Sequence, residues 1–165
     1  MKTYILERRQ TLPRPVNEVF PFFDAPENLG KITPPWLALR MLTPFSLDIQ
    51  QGTLIDYTIR WLGIPIRWRT LISDYQPPAM FVDEQLKGPY NFWHHTHTFV
   101  PTGEGTEMSD CVRYRLPGGI LGDLLHSLVI RRQLKRIFDY RERTIAEIFA
   151  PPGVRCPANE TGVLS

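Results

Sequence analysis

From Ile120 to Phe149 the chain contains no proline, and no glycine after Gly122, whereas the stretch from Leu37 to Leu116 is cut into short runs by both residues. A long segment free of breakers reads as a helix. Leu124, Leu128, Leu134, Phe138, Ile145 and Phe149 recur mostly at three- or four-residue steps, which gives it one apolar stripe. The other face carries Arg131, Arg132, Lys135, Arg136, Arg141 and Arg143, with Asp139, Glu142 and Glu147 interleaved. Bases mixed with acids read as a solvated face; a membrane-surface or partner-binding patch is the alternative.

Six upstream runs have strand character: Leu37 to Leu42, Thr53 to Trp61, Ile66 to Tyr75, Met80 to Leu86, Tyr90 to Val100 and Glu107 to Leu116. The breaks between them, such as Leu62-Gly63-Ile64-Pro65, Pro77-Pro78 and Lys87-Gly88-Pro89, suit the loops of an antiparallel meander. A further strand is expected over residues 3–9, and Pro13 and Pro15 end it. A helix of about two turns follows from Pro15, shortened by Pro21, and then a second short helix through Glu27, Asn28 and Leu29. Lys31 to Pro35 is expected to be loop.

Seven strands need a cover for their apolar face, and the last helix is the sizeable apolar element available. The expected fold is therefore α+β: a seven-stranded curved antiparallel sheet wrapped around a long C-terminal helix, with two short helices after the first strand. At 165 residues, 42% of them hydrophobic, the chain supplies one core, assigned to residues 1–150. Residues 151–165 have almost nothing apolar to bury and read as a flexible tail. A balance of 19 basic against 17 acidic side chains argues against nucleic acid as a partner. Neither a signal-peptide core nor a membrane-length apolar run is present, so a cytoplasmic location is expected, with peripheral membrane contact at most. Cys111 and Cys156 fit neither a disulfide framework nor a zinc spacing and are read as free thiols.

The element order, together with three strings, resembles the SRPBCC (START-like, polyketide cyclase/dehydrase-like) superfamily over residues 1–150. The strings are Glu27-Asn28-Leu29-Gly30-Lys31-Ile32-Thr33-Pro34-Pro35-Trp36, then Phe81-Val82-Asp83-Glu84-Gln85 to Gly88-Pro89-Tyr90, and Trp93-His94-His95-Thr96-His97. More narrowly, the chain resembles bacterial ligand-binding members. The resemblance implies the helix-grip fold and a deep, largely hydrophobic tunnel between sheet, long helix and short helices. Members bind lipids, polyketides, quinones or plant hormones, and some cyclise or dehydrate the ligand. No set of catalytic residues carries over. The Pro34-Pro35-Trp36 segment is implied to be a lid at the tunnel mouth; a rigid connector capping the core is the other reading.

Side-chain alternation along each strand proposes the lining. Ile55, Tyr57, Ile59 and Trp61 share a face, as do Ile66, Trp68, Thr70 and Ile72, and Met108, Asp110, Val112, Tyr114 and Leu116. Trp93, His95, His97 and Phe99 form one face of their strand, although both faces there mix aromatic and polar residues. The resemblance favours Phe81, Asp83 and Gln85 inward, while Val82 and Leu86 argue the reverse. The candidate ligand-binding set is then Tyr57, Trp61, Trp68, Phe81, Asp83, Gln85, Trp93, His95, His97, Phe99, Asp110 and Tyr114.

Within it, Asp83, Gln85, His95, His97 and Asp110 form a polar cluster whose ionisable members must pair, shift pKa or hydrate. Three roles stay open: a satisfied network locking the strands, an anchor for a ligand head group, or general acid-base catalysis by His95, His97 and Asp110. A His-x-His pair with Asp110 or Asp83 as a third ligand also has metal chemistry, with His94 facing away. Without a further Cys or His at fixed spacing, however, no metal or other cofactor is expected. The leading expectation is a carrier or sensor of a small hydrophobic molecule. The alternatives are a polyketide cyclase, aromatase or dehydrase-like enzyme, and an accessory or interaction module of a larger enzyme complex, as the resemblance implies for members related to carbon monoxide dehydrogenase components.

Overall fold

The computed structural model describes residues 2–44, 47–118 and 126–151. Cys156, Leu124, the tail beyond Pro151 and the first turns of the expected long helix lie outside them. The described elements are β1 (Tyr4–Leu12), α1 (Val16–Phe23), 3-10 turns at Pro26–Gly30 and Pro35–Leu37, and β2 (Arg40–Met41). Then come β3 (Leu54–Trp61), β4 (Ile64–Gln76), β5 (Met80–Lys87), β6 (Phe92–Thr102), β7 (Gly105–Arg115), a π-helical turn at His126–Ile130, and α2 (Arg131–Ile148).

Among the described residues the strands form a single antiparallel sheet in the order β1-β7-β6-β5-β4-β3-β2. Sequential neighbours pair as hairpins from β2 to β7, and β1 closes the far side against β7. This is the helix-grip arrangement: the sheet curves around α2, with α1 and the 3-10 turns completing the cover. Arg8 on β1 ties the sheet to α2 through Asp139 at 3.1 Å, and Lys135 reaches the same carboxylate at 2.7 Å.

Alternation is clean where a strand is long. On β6, Trp93, His95, His97 and Phe99 are buried; on β7 so are Thr106, Met108, Asp110, Val112 and Tyr114. In the β4–β5 ladder the register shifts between Ile72 and Asp74, and Phe81 and Val82 are both buried. That break in alternation explains why residues 80–86 read both ways in the sequence. Leu86 settles at 55% exposure, and Asp83 turns to the imidazoles of β6.

Several expectations need correcting. The strand from Leu37 to Leu42 shrinks to Arg40–Met41, because a 3-10 turn occupies Pro35–Leu37 and Ala38 takes a left-handed φ of 43°. Ile64 and Pro65 belong to β4 rather than to a loop. The turn before them is only Leu62-Gly63, both at positive φ (50° and 82°), the geometry that matches strand twist in a tight hairpin. Leu128 is 58% exposed instead of sharing the helix stripe. It lies six residues before Leu134, and at about 100° per residue that step points roughly 120° away from the stripe. The buried face is Ile130, Leu134, Phe138, Arg141 and Ile145, followed by Phe149 just past the helix end. Arg141 thus leaves the solvated basic face on which its charge placed it.

Candidate functional site

Two apolar clusters fill the space under the sheet. One, around Phe20, Phe81, Phe99, Met108 and Ile145, joins α1 to β5–β7. The other, around Trp68, Tyr90, Trp93, Tyr114 and Phe138, joins β3–β7 to α2. A cavity of about 180 Å³ opens between sheet, α2 and the segment from Phe22 to Leu37. Its wall is mainly apolar, a mixture of aliphatic and aromatic side chains. Trp68 stacks on Tyr57 at 6.0 Å and meets Trp93 edge-on at 5.5 Å, while Tyr90 lies 4.9 Å from Trp93.

Of the predicted lining, Tyr57, Trp61, Trp68, Phe81, Asp83, Trp93, His95 and His97 are on this wall. Gln85, Phe99, Asp110 and Tyr114 are not, each for its own reason. Gln85 donates its side-chain N–H to the Tyr90 carbonyl at 2.6 Å and accepts from the Tyr90 N–H, so it clamps the loop that carries Tyr90 to the wall. Phe99 is enclosed by Phe20 and Phe23 at 5.3 and 5.2 Å. Tyr114 is 2% exposed and packs against Tyr4, Tyr90 and Trp93. Asp110 stands behind the imidazoles, beside a small recess lined by Arg8, Gln10 and Arg141.

Asp83, His95, His97 and Asp110 form a closed ring of contacts across β5, β6 and β7. In the ladders Asp83 faces His95 and Asp110 faces His97, so each carboxylate has one imidazole opposite and the other on the diagonal. Asp110 Oδ1 lies 2.8 Å from His95 Nε2 and 2.9 Å from His97 Nδ1; the second contact has an ion pair's length without hydrogen-bond alignment. Asp83 Oδ2 lies 2.9 Å from His97 Nε2 and 3.4 Å from His95 Nδ1. The rings sit 3.8 Å apart, with Phe81 stacked on His97 at 4.2 Å and Phe138 edge-on to His95 at 5.7 Å.

Burial alone pushes both carboxyls up, but the imidazoles outweigh it. They hold Asp110 well below the ordinary carboxylate range, and with the Arg141 guanidinium they hold Asp83 below it. Burial and the His97 charge lower His95 despite its carboxylate neighbours. At His97 the nearby Asp110 and Asp83 carboxylates overcome burial and raise it. Two carboxylates thus face two imidazoles and the Arg141 guanidinium inside the wall.

Arg141, Tyr90, Leu134 and Phe138 are wall residues that the sequence reading missed. Arg141 had a findable signal, since it falls three residues after Phe138 and four before Ile145, inside the stripe's own phase. Its Nε, like Trp68 Nε1, is buried without a partner. His94 points outward beside Glu84 and Arg113, away from the other two histidines. Trp36 does not lie on the cavity: it packs edge-on against Tyr140 with Arg136 over its ring, while Pro34 and Leu37 on either side of it line the cavity. Asp83, His95 and His97 can each offer a ligand atom, all within 4.8 Å of one another. Among the described residues no helix is long and apolar enough to cross a membrane.

No family model matches the chain, and neither does any curated protein. Solved structures do. A Chromobacterium violaceum protein aligns with a TM-score of 0.68 at 13% identity, over 90% of this chain and 99% of its own. The structure of Ara h 8.0201 aligns at 0.58 and 14%, over 88% and 99%. The di-domain ARO/CYC StfQ from the steffimycin biosynthetic pathway aligns at 0.66 and 17%, over 90% of this chain and 50% of that one. At these identities the similarity shows the fold, the helix-grip architecture implied by the sequence resemblance.

Proposed function

We propose that this protein binds a small, largely hydrophobic molecule of one or two rings inside the sheet, with a neutral oxygen-bearing end turned toward Asp83, His95, His97 and Arg141. The observation that carries this reading is an apolar cavity, rich in aromatic rings, whose sheet side ends in the Asp83, His95 and His97 cluster. Its volume, about 180 Å³, is of the order of the roughly 150 Å³ apolar cavity that admits benzene, and so suits a ring compound better than a long acyl chain. The polar end favours a neutral hydroxyl or carbonyl, because its carboxylates and imidazoles already face one another and a charged organic head group would enter a desolvated wall without a partner of its own. The unpartnered Trp68 Nε1 and Arg141 Nε are donors that such an oxygen would satisfy.

Titration of tryptophan fluorescence with 1-naphthol tests this, since Trp61, Trp68 and Trp93 all line the wall. The expected result is saturable binding of one equivalent, weaker binding of naphthoate, and at least about tenfold loss in Ile137→Trp, which fills the space from α2. Absence of saturation, or undiminished binding in the filled variant, would sink the proposal. The paired imidazoles and carboxylates favour one further reading, proton transfer on a bound carbonyl compound of the cyclase or dehydrase kind. Conversion of a bound ligand, lost in His97→Gln with binding retained, would separate it from simple carriage.

A further inference from the structure

We infer that Asp83, His95 and His97 form a binding site for one divalent first-row transition ion, with Asp110 as the carboxylate that orients both imidazoles. Its donors are also the polar end of the cavity, but binding of the ion does not require an organic ligand to be present. His95 Nε2 is hydrogen-bonded to Asp110 at 2.8 Å and His97 Nδ1 lies 2.9 Å from the same oxygen, so each ring has one nitrogen facing Asp110 behind the wall. The other nitrogens, His95 Nδ1 and His97 Nε2, converge on a single atom, Asp83 Oδ2, at 3.4 and 2.9 Å. A network that only had to satisfy four polar groups has no need to bring the second nitrogen of both rings to one oxygen.

The two N···O separations suit a shared ion, and the three ligand atoms lie within 4.8 Å of one another. Ligand atoms about 2.0–2.2 Å from a shared ion stand roughly 3.0–3.5 Å apart at tetrahedral or octahedral angles. The carboxylate on the far nitrogen is the usual partner of a ligating histidine, fixing its tautomer and ring orientation. Here one aspartate serves two histidines. Phe81 and Phe138 hold the ring planes by stacking and edge contact, so the site is organised by packing before any ion arrives. Asp83, His95 and His97 all border the cavity, which leaves the remaining coordination positions on the side a ligand or water reaches. Two imidazoles and one carboxylate select zinc or ferrous-type ions over magnesium and calcium, which prefer all-oxygen shells.

The test uses the full chain after chelator dialysis, titrated with Co²⁺ followed by visible absorption, and then with Zn²⁺ in competition. The expected result is one equivalent of Co²⁺ displaced by Zn²⁺. Affinity should fall at least about 100-fold in Asp83→Asn, His95→Gln and His97→Gln, and about 10–100-fold in Asp110→Asn, and it should not change in His94→Gln. Circular dichroism checks that each variant is folded. If the buried variants do not fold, NMR of the Co²⁺-loaded wild type decides, with two strongly shifted exchangeable imidazole N–H signals expected, one from each histidine. No binding of either ion, binding that survives in a folded His95→Gln/His97→Gln double variant, loss of binding in His94→Gln, or absence of the shifted pair would overturn the inference.

Discussion

The sheet carries the same device on both of its faces. On the outer face Arg67 and Arg69, two residues apart on β4, share Asp56 on β3. Arg69 grips it in two parallel bonds of 2.9 and 2.8 Å, and Arg67 lies 3.4 Å away. On the inner face His95 and His97, two residues apart on β6, share Asp110 on β7 and Asp83 on β5. Spacing and cross-strand placement are alike, yet the two clusters do different things. Around Asp56 water screens the charges and the arginine side chains are 42–51% exposed, so the ion pairs add little beyond solubility and strand register. Around Asp110 both partners are under 10% exposed, and every charge must find its counter-charge within the protein. Position relative to the sheet, and not the motif, turns the device into a candidate site.

Removing one member from each face tests this contrast most severely. Asp110→Ala leaves two imidazoles without their shared acceptor inside the core. It is expected to cost about 3–5 kcal/mol by urea unfolding, the range for breaking a buried ion pair. A loss no larger than that of Asp56→Asn would remove the distinction.

Next in size is the acid limb of stability in metal-free protein. Asp83 and Asp110 are held below their unfolded values, so they contribute stability above a carboxylate's unfolded pKa of about 4. That stability is lost as pH falls through the folded values. The histidines oppose each other near neutrality. His97, raised, contributes below its unfolded value and loses this as pH rises, whereas His95, lowered, does the reverse. Unfolding free energy measured against pH should therefore fall most steeply on the acid side, and Asp110→Asn should flatten that fall. An acid limb unchanged in the variant would count against the inner cluster as its source.

The smallest effect is expected at Asp56→Asn: a slight loss of stability at low ionic strength that disappears in high salt, read from thermal melts at both. A loss that persists in high salt would mean that the outer cluster, too, is shielded from water.

Much of this was legible in the sequence because it depends on short-range pattern. Strand alternation put Asp110 on an inward face and grouped Trp93, His95 and His97 on one face of their strand without deciding which face turns inward, and the breaker-free stretch marked the gripped helix. What stayed hidden depends on pairing. The residues from 80 to 86 read both ways because the ladder shifts register beside them. Phe99 and Tyr114 share the wall's parity but sit where neighbouring rings close over them. Arg141 carries a charge that marks it for solvent, but its position in the helical stripe places it inward.

The elements, their order and most of the inward set of side chains were thus written in the chain, since alternation and helical period are properties of the local backbone. Which inward residues meet empty space, and which meet each other, was left to tertiary packing. Packing brought two nitrogens from β6 to one oxygen of β5, set Asp110 behind them, and swung a charged residue of α2 into the cavity wall. Those outcomes follow from strand register and helix docking, long-range relations between segments that no window of sequence contains.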